Sequence, residues 1–165
     1  MDIKNSLKEI LDIVGNPGEG LPEEVFEFIA SITPMVNVDL LIRDERGCVL
    51  LARRDDKFNG SVWHIPGGIV RFRESLLQRV EQVAIAEIGQ SVMINETPIA
   101  VNEIFSPHQE RGHFISFLYE CKLKERLDIK EKDQWEHGDL KWFETCPSDF
   151  ISCQVPLYGK YFKEL

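Results

Sequence analysis

At 165 residues, 43% apolar and 28% charged, the chain has the composition of one ordinary globular domain, long enough to bury a core of its own. A formal net charge of −9 excludes the basic stripe that wrapping nucleic acid requires, and no apolar run approaches the ~20 residues of a membrane span. The polar start Met1-Asp2-Ile3-Lys4 reads as no signal peptide, and Cys48, Cys121, Cys146 and Cys153 form no Cys-x-x-Cys pair, so a reducing, cytoplasmic setting is expected.

Ile3, Leu7, Ile10, Leu11 and Val14 recur at helical spacing and predict an amphipathic helix over residues 2–14, broken by Gly15-Asn16-Pro17-Gly18-Glu19-Gly20. That helix could cover the domain's own surface or pack on a partner subunit. A second short helix is predicted over 22–32, with Pro22 suited to its first turn and Pro34 ending it. The β-formers of 36–43, the turn Asp44-Glu45-Arg46-Gly47 and the run 48–52 predict a hairpin. Arg53-Arg54-Asp55-Asp56 leaves its second strand, Arg53 facing solvent, and a loop over 57–61 delivers Trp63. Next come a short strand, the turn at Pro66-Gly67-Gly68, a short extended piece and one helix over 75–88. Strands follow at 99–105 and 113–123, joined by a polar loop that holds His108, then a solvated edge over 122–133, a last strand at 140–143 and a closing helix over 156–165. Strands on both sides of one well-formed helix make an α+β arrangement, with Trp63, Trp142 and Phe143 in its core.

The 75–88 helix carries an anomaly. A step of about 100° per residue places Leu76, Val80, Val83 and Ala84 on one apolar face, and Glu87 falls in the middle of that face. A carboxylate turned toward a core is costly unless neutralised, paired or bound to metal, and the helix dipole disfavours it in a last turn. Fraying of the helix end into water is the bland alternative.

Gly68, five residues, Glu74, seven residues and then Gln82-Val83-Ala84-Ile85-Ala86-Glu87-Ile88-Gly89 resembles the Nudix box of hydrolases that cleave nucleoside diphosphates linked to another group. The usual box has Arg-Glu in place of Gln82-Val83 and a pair of glutamates in place of Ala86-Glu87. The GDP-mannose mannosyl hydrolase branch also keeps Ala-Glu at the second place and is the most similar. The resemblance extends over Leu51-Ala52-Arg53-Arg54, Trp63 to Gly68 and Glu136-His137, from about residue 21 to the C-terminus. It implies a Nudix α/β/α sandwich with a mixed β-sheet over 21–165, preceded by an N-terminal helical extension over 1–20.

The resemblance also implies roles. The carbonyl of Gly67 and the carboxylates of Glu87 and Glu136 would hold Mg2+, with Mn2+ able to stand in, since such hard cations take oxygen ligands. His137 would act as general base, its ordinary pKa lying near neutrality. Arg54 would support the departing diphosphate through guanidinium contacts, and Asp39 would lie near the nucleotide. Ile69, Gln82 and Phe114 stand where the branch has donors, and the loop before His113 is shorter than in that branch. Arg111, His108 or Lys57 could supply the missing positive charge, though His108 and His113 otherwise read as loop or surface histidines outside any zinc pattern.

The implied function is Mg-dependent hydrolysis of a small nucleotide-sugar such as GDP-mannose at its glycosyl C–O bond, by a homodimer. Two other readings stand beside it. One is a Nudix pyrophosphatase in which water attacks phosphorus with Glu136 as base; the other is a Nudix module that binds a nucleotide without cleaving it.

Overall fold

The computed structural model describes residues 2–108 and 110–164. Met1 of the polar start, Gln109 of the predicted 106–112 loop and Leu165 of the predicted closing helix lie outside the described residues.

The first helix, α1 (Ile3–Val14), is capped by the Asp2 side chain, which accepts from the Lys4 N–H, and stopped by Gly15 at φ 62°. It buries no residue, and Ile3, Leu7, Leu11 and Ile13 are exposed along it, so it does not cover the domain. Helix α2 (Glu23–Ile32) starts after Pro22, as expected. Two sheets follow. In the larger one, β1 (Met35–Ile42) lies between β4 (Gly67–Ile69) and β7 (His113–Leu123), antiparallel to the first and parallel to the second. Strand β7 also pairs antiparallel with β6 (Ala100–Phe105) along one half and with β5 (Val92–Ile94) along the other, which makes the sheet mixed. The smaller sheet is antiparallel in the order β3 (Gly60–His64), β2 (Val49–Asp56), β8 (Leu140–Phe143).

The predicted hairpin is corrected here. The turn forms, with the Cys48 carbonyl accepting from the Asp44 N–H, but among the described residues the only backbone bridge between the two arms is Arg43–Val49, after which β1 and β2 enter different sheets. Burial explains the separation. Val38, Leu40 and Ile42 pack with Val80, Val83 and Ala84 of the helix, while Leu41 packs the other way with Leu51, Trp63, Phe150 and Tyr158. Covered on both faces, β1 is a core strand without polar alternation.

The helix over 75–88 is also two pieces. Helix α3 (Leu76–Val83) opens with a capping box between Ser75 and Gln78 and passes into one wide π turn over Ala84–Ile88, closed by Gly89 at φ 81°. The predicted closing helix shrinks to α4 (Val155–Tyr158) and a 3-10 turn, because Tyr158 and Phe162 are drawn into the core. Arg53 is not the exposed side chain expected: it pairs with Asp149 at 2.5 Å and lies over the Trp63 ring. Trp63 is buried, as expected, while Trp142 and Phe143 pack against the core half-buried. Among the described residues no helix is long and apolar enough to cross a membrane.

Candidate active site

A cavity of about 210 Å³ opens where β4, the end of β2 and the C-terminal segment meet, and Arg54, Asp39, Gly67 and Arg111 all line it. Its floor is set by two glycines, for a reason other than a tight turn. Neither has a positive φ; both lie in β4. A Cβ on Gly67 would come within 2.2 Å of Asp39 Oδ1 and 2.8 Å of the Val38 carbonyl, and one on Gly68 within 2.9 Å of Val83 on α3. The Pro-Gly-Gly turn of the sequence reading is therefore a close approach of backbone to carboxylate and helix.

Asp39 is almost fully buried on the face of β1 that carries Leu41. Its Oδ1 accepts from Asn37 at 2.9 Å, and its Oδ2 accepts from the hydroxyls of Ser116 and Tyr158. Burial raises its pKa in spite of those donors and nearby Arg54. These partners sit 77 and 119 residues away in the chain, and no short motif announces them.

Glu87 is brought against Gly67 by the π turn. Burial pushes its carboxyl up to about 7; Arg54 and a backbone hydrogen bond from Gly67 pull the other way, and Asp39 adds to the rise. Its Oε2 is sealed from solvent with no hydrogen-bond partner among the described residues. An orphaned carboxylate oxygen beside a backbone strand and a second carboxylate requires a proton or a cation. The donor chemistry thus fits a hard divalent ion, although no group of three or more His, Cys, Asp or Glu gathers to hold one among the described residues. Of the groups gathered at this point, Glu87 and backbone oxygen could hold such an ion, together with the ligand's own phosphate oxygens.

The other box glutamate does different work. Glu74 accepts from the Arg71 N–H at 2.9 Å and pairs with Arg79 Nε at 2.7 Å, both side chains being largely buried. The sequence reading did not single out Arg79. It lies one helical turn before Gln82, which is exposed.

Positive charge enters from one strand and one loop. Arg54 leaves β2 toward the cavity, its Nε 3.5 Å from Asp56. Arg111, between β6 and β7, lies 5.2 Å from the ring centres of both Phe26 and Phe58 and makes no ion pair among the described residues. Burial and repulsion from Arg54 pull its pKa below the ordinary value. His108, on the loop between β6 and β7 as expected, lines the same cavity and meets the Phe58 ring edge-on. His113 is half-buried and stacks on Phe105 instead. Lys57 does not reach the cavity; it is held by Glu23 and Glu27 at 2.7 Å each, clamping the β2–β3 loop to α2. Ile69 and Phe114, which replace donors, line the wall.

Glu136 and His137 lie on an exposed loop outside the cavity lining. His137 Nδ1 accepts from the backbone N–H of Asp55 at 3.1 Å, so that nitrogen carries no proton and the neutral ring is protonated on Nε2. The bond ties this loop to the residue after Arg54. It also commits the lone pair that a general base would use.

The sequence comparisons agree with this architecture. A family model described as NUDIX domain matches residues 33–145. The chain is 31% identical over 132 residues to the low-salt glycan biosynthesis protein Agl8 of Haloferax volcanii, spanning 78% of this chain and 82% of that one. A MutT NUDIX hydrolase from Burkholderia pseudomallei superposes with a TM-score of 0.61 at 21% identity, covering 77% of this chain and 98% of that chain. The MutT protein from Methanosarcina mazei Go1 gives 0.60 at 21% identity, with 79% and 94% covered. At that identity the two structures establish a shared fold.

Proposed function

Because the chain belongs to the NUDIX family, hydrolases of nucleoside diphosphate derivatives, we propose that it cleaves a nucleotide-sugar such as GDP-mannose at the glycosyl C–O bond with Mg2+ as cofactor. The observation that carries this reading is the convergence of Arg54 and Arg111 on one cavity lined by Gly67, whose backbone also meets the Glu87 carboxyl, one oxygen of which is unpartnered. Two guanidiniums that repel each other across a cavity are relieved by an anion between them, and a diphosphate supplies one. The printed name of the Haloferax relative, a glycan biosynthesis protein, supports a sugar-bearing ligand.

Glu87, the Gly67 carbonyl and Glu136 are the residues proposed to hold the ion, which when bound would neutralise the diphosphate as a leaving group. Asp39 acts through Gly67, keeping the strand at the height its packing requires. Arg54 and Arg111 take up the charge that develops on the departing phosphates. His137 is the proposed acceptor of a proton from the attacking water, a role that requires its ring to leave the Asp55 amide. That requirement favours one competing outcome: Glu136, exposed beside it, would serve as the base if water attacked phosphorus instead. A homodimer is proposed as well, and sedimentation equilibrium showing only monomer removes it.

Product identification after incubation with GDP-mannose and magnesium, with a chelator control, decides between the cleavage modes. GDP plus mannose is the expected result. GMP plus mannose 1-phosphate transfers the enzyme to the pyrophosphatase reading, and no turnover across nucleoside diphosphate derivatives leaves a binding module.

A further inference from the structure

Two imidazoles line the cavity, His64 and His108, to which the mechanism above gives no task, and only His64 is buried. His64 ends β3, is 5% exposed, and lines the cavity beside Arg54. Its Nδ1 stands 2.8 Å from the carbonyl oxygen of Ile65. A carbonyl can only accept, so Nδ1 must carry the proton, and in the neutral ring the lone pair then belongs to Nε2. Nε2 makes no hydrogen bond among the described residues, yet it is not among the polar atoms sealed from solvent. The cavity is the opening that this buried ring has.

His64 is thus the opposite of His137. The loop histidine spends its lone pair on a backbone amide, whereas the cavity histidine spends its proton on a backbone carbonyl and keeps its lone pair for whatever enters. Burial above all, and then Arg54, disfavour a positive charge at this ring. A bare ring nitrogen repels phosphate oxygens and has nothing to offer an apolar group. It is complementary to an O–H or N–H donor.

The geometry points to His64 as the residue that accepts a hydrogen bond from a hydroxyl of the ligand's sugar, making it a specificity determinant next to the arginine-lined diphosphate subsite. The inference rests on the nucleotide-sugar reading for the identity of the donor. The tautomer and the direction of the lone pair do not depend on that reading.

Two measurements test it. In protein labelled with 15N at histidine, two-bond proton–nitrogen correlation should find the His64 ring neutral and protonated on Nδ1 between pH 5 and 8. A ring protonated on Nε2, or on both nitrogens, overturns the assignment without any substrate. The second measurement is calorimetric titration of wild type, H64F and H64Q with GDP-mannose and, separately, with inorganic pyrophosphate. H64F should weaken GDP-mannose by about tenfold, the loss expected for one buried hydrogen bond, and leave pyrophosphate within about twofold. H64Q, which can return an acceptor near the same point, should recover part of the difference. Equal weakening of both ligands by H64F marks a collapsed cavity and overturns the proposal, as does weakening of neither. Wild type that binds pyrophosphate but no GDP-mannose removes the nucleotide-sugar reading, and the tautomer alone then decides where the lone pair lies.

Discussion

The two ends of the helical segment that begins at Ser75 treat a buried carboxylate in opposite ways. At its head, Glu74 has a guanidinium at 2.7 Å and a backbone donor at 2.9 Å; at its tail, Glu87 keeps an oxygen with no partner and a pKa near 7. The first arrangement holds the β4–α3 connection together. The second withholds stability beside Gly67, where a cation can supply it later. Two glutamates of one motif therefore belong to different functions of the molecule.

Exchanging each for glutamine should separate those functions most sharply. E87Q is expected to lower Mg-dependent turnover by about a thousandfold, as removal of a metal ligand in a charge-stabilised reaction does, while leaving the fold intact. E74Q should leave Arg79 charged, buried and unpaired, with a loss of roughly 3–5 kcal/mol in urea unfolding. Equal stability losses in both variants would dissolve the distinction.

The metal-free protein offers a second way to sharpen it, through pH. Glu87 is raised from 4.5 to about 7, so its contribution is complete below pH 4.5 and lost as pH rises through 7. His64 is lowered from 6.5 to about 3, so its contribution is complete above pH 6.5 and lost as pH falls toward 3. The two slopes oppose each other between pH 4.5 and 6.5. In chelator, E87Q should therefore gain stability with rising pH relative to wild type in that window, and H64F should lose it, by up to ~1.4 kcal/mol per pH unit each. Urea midpoints measured across the window that move together would break the assignment.

Smaller effects belong farther from Glu87. R111Q should weaken pyrophosphate binding by about tenfold at low salt, whereas K57Q, whose lysine is clamped to α2, should change it by less than about twofold. Calorimetry in the two variants checks this. Least of all, S75A removes the capping box at the head of α3 and should cost about 1 kcal/mol in thermal unfolding without altering turnover.

How far the sequence carried differs along the same lines. The burial of Glu87 was legible because helical period and apolar pattern are local, and so were α1, α2, β6, β7 and β8. The β1–β2 hairpin was misread because a strand covered on both faces loses its alternation, leaving only the turn as a guide. The donors to Asp39 were not visible at all, since Ser116 and Tyr158 reach it only after the chain has closed on itself. Arg79 was not legible because it stands one turn before the motif position that Gln82 occupies, and its pairing with Glu74 forms only once the first turn of α3 is wound.

The wide turn at 84–88 has one consequence of its own. An evenly wound helix advances by a fixed angle at each residue, so the direction of Glu87 would be dictated by the core face of α3. The wide turn decouples the two, acting as a phase shift between a segment registered to the sheet and a carboxylate registered to the Gly67 backbone. Even winding over the same residues would instead turn Glu87 onto the core face of α3, in line with Val80 and Val83. The site would then lose its carboxylate without the exchange of any side chain that faces it.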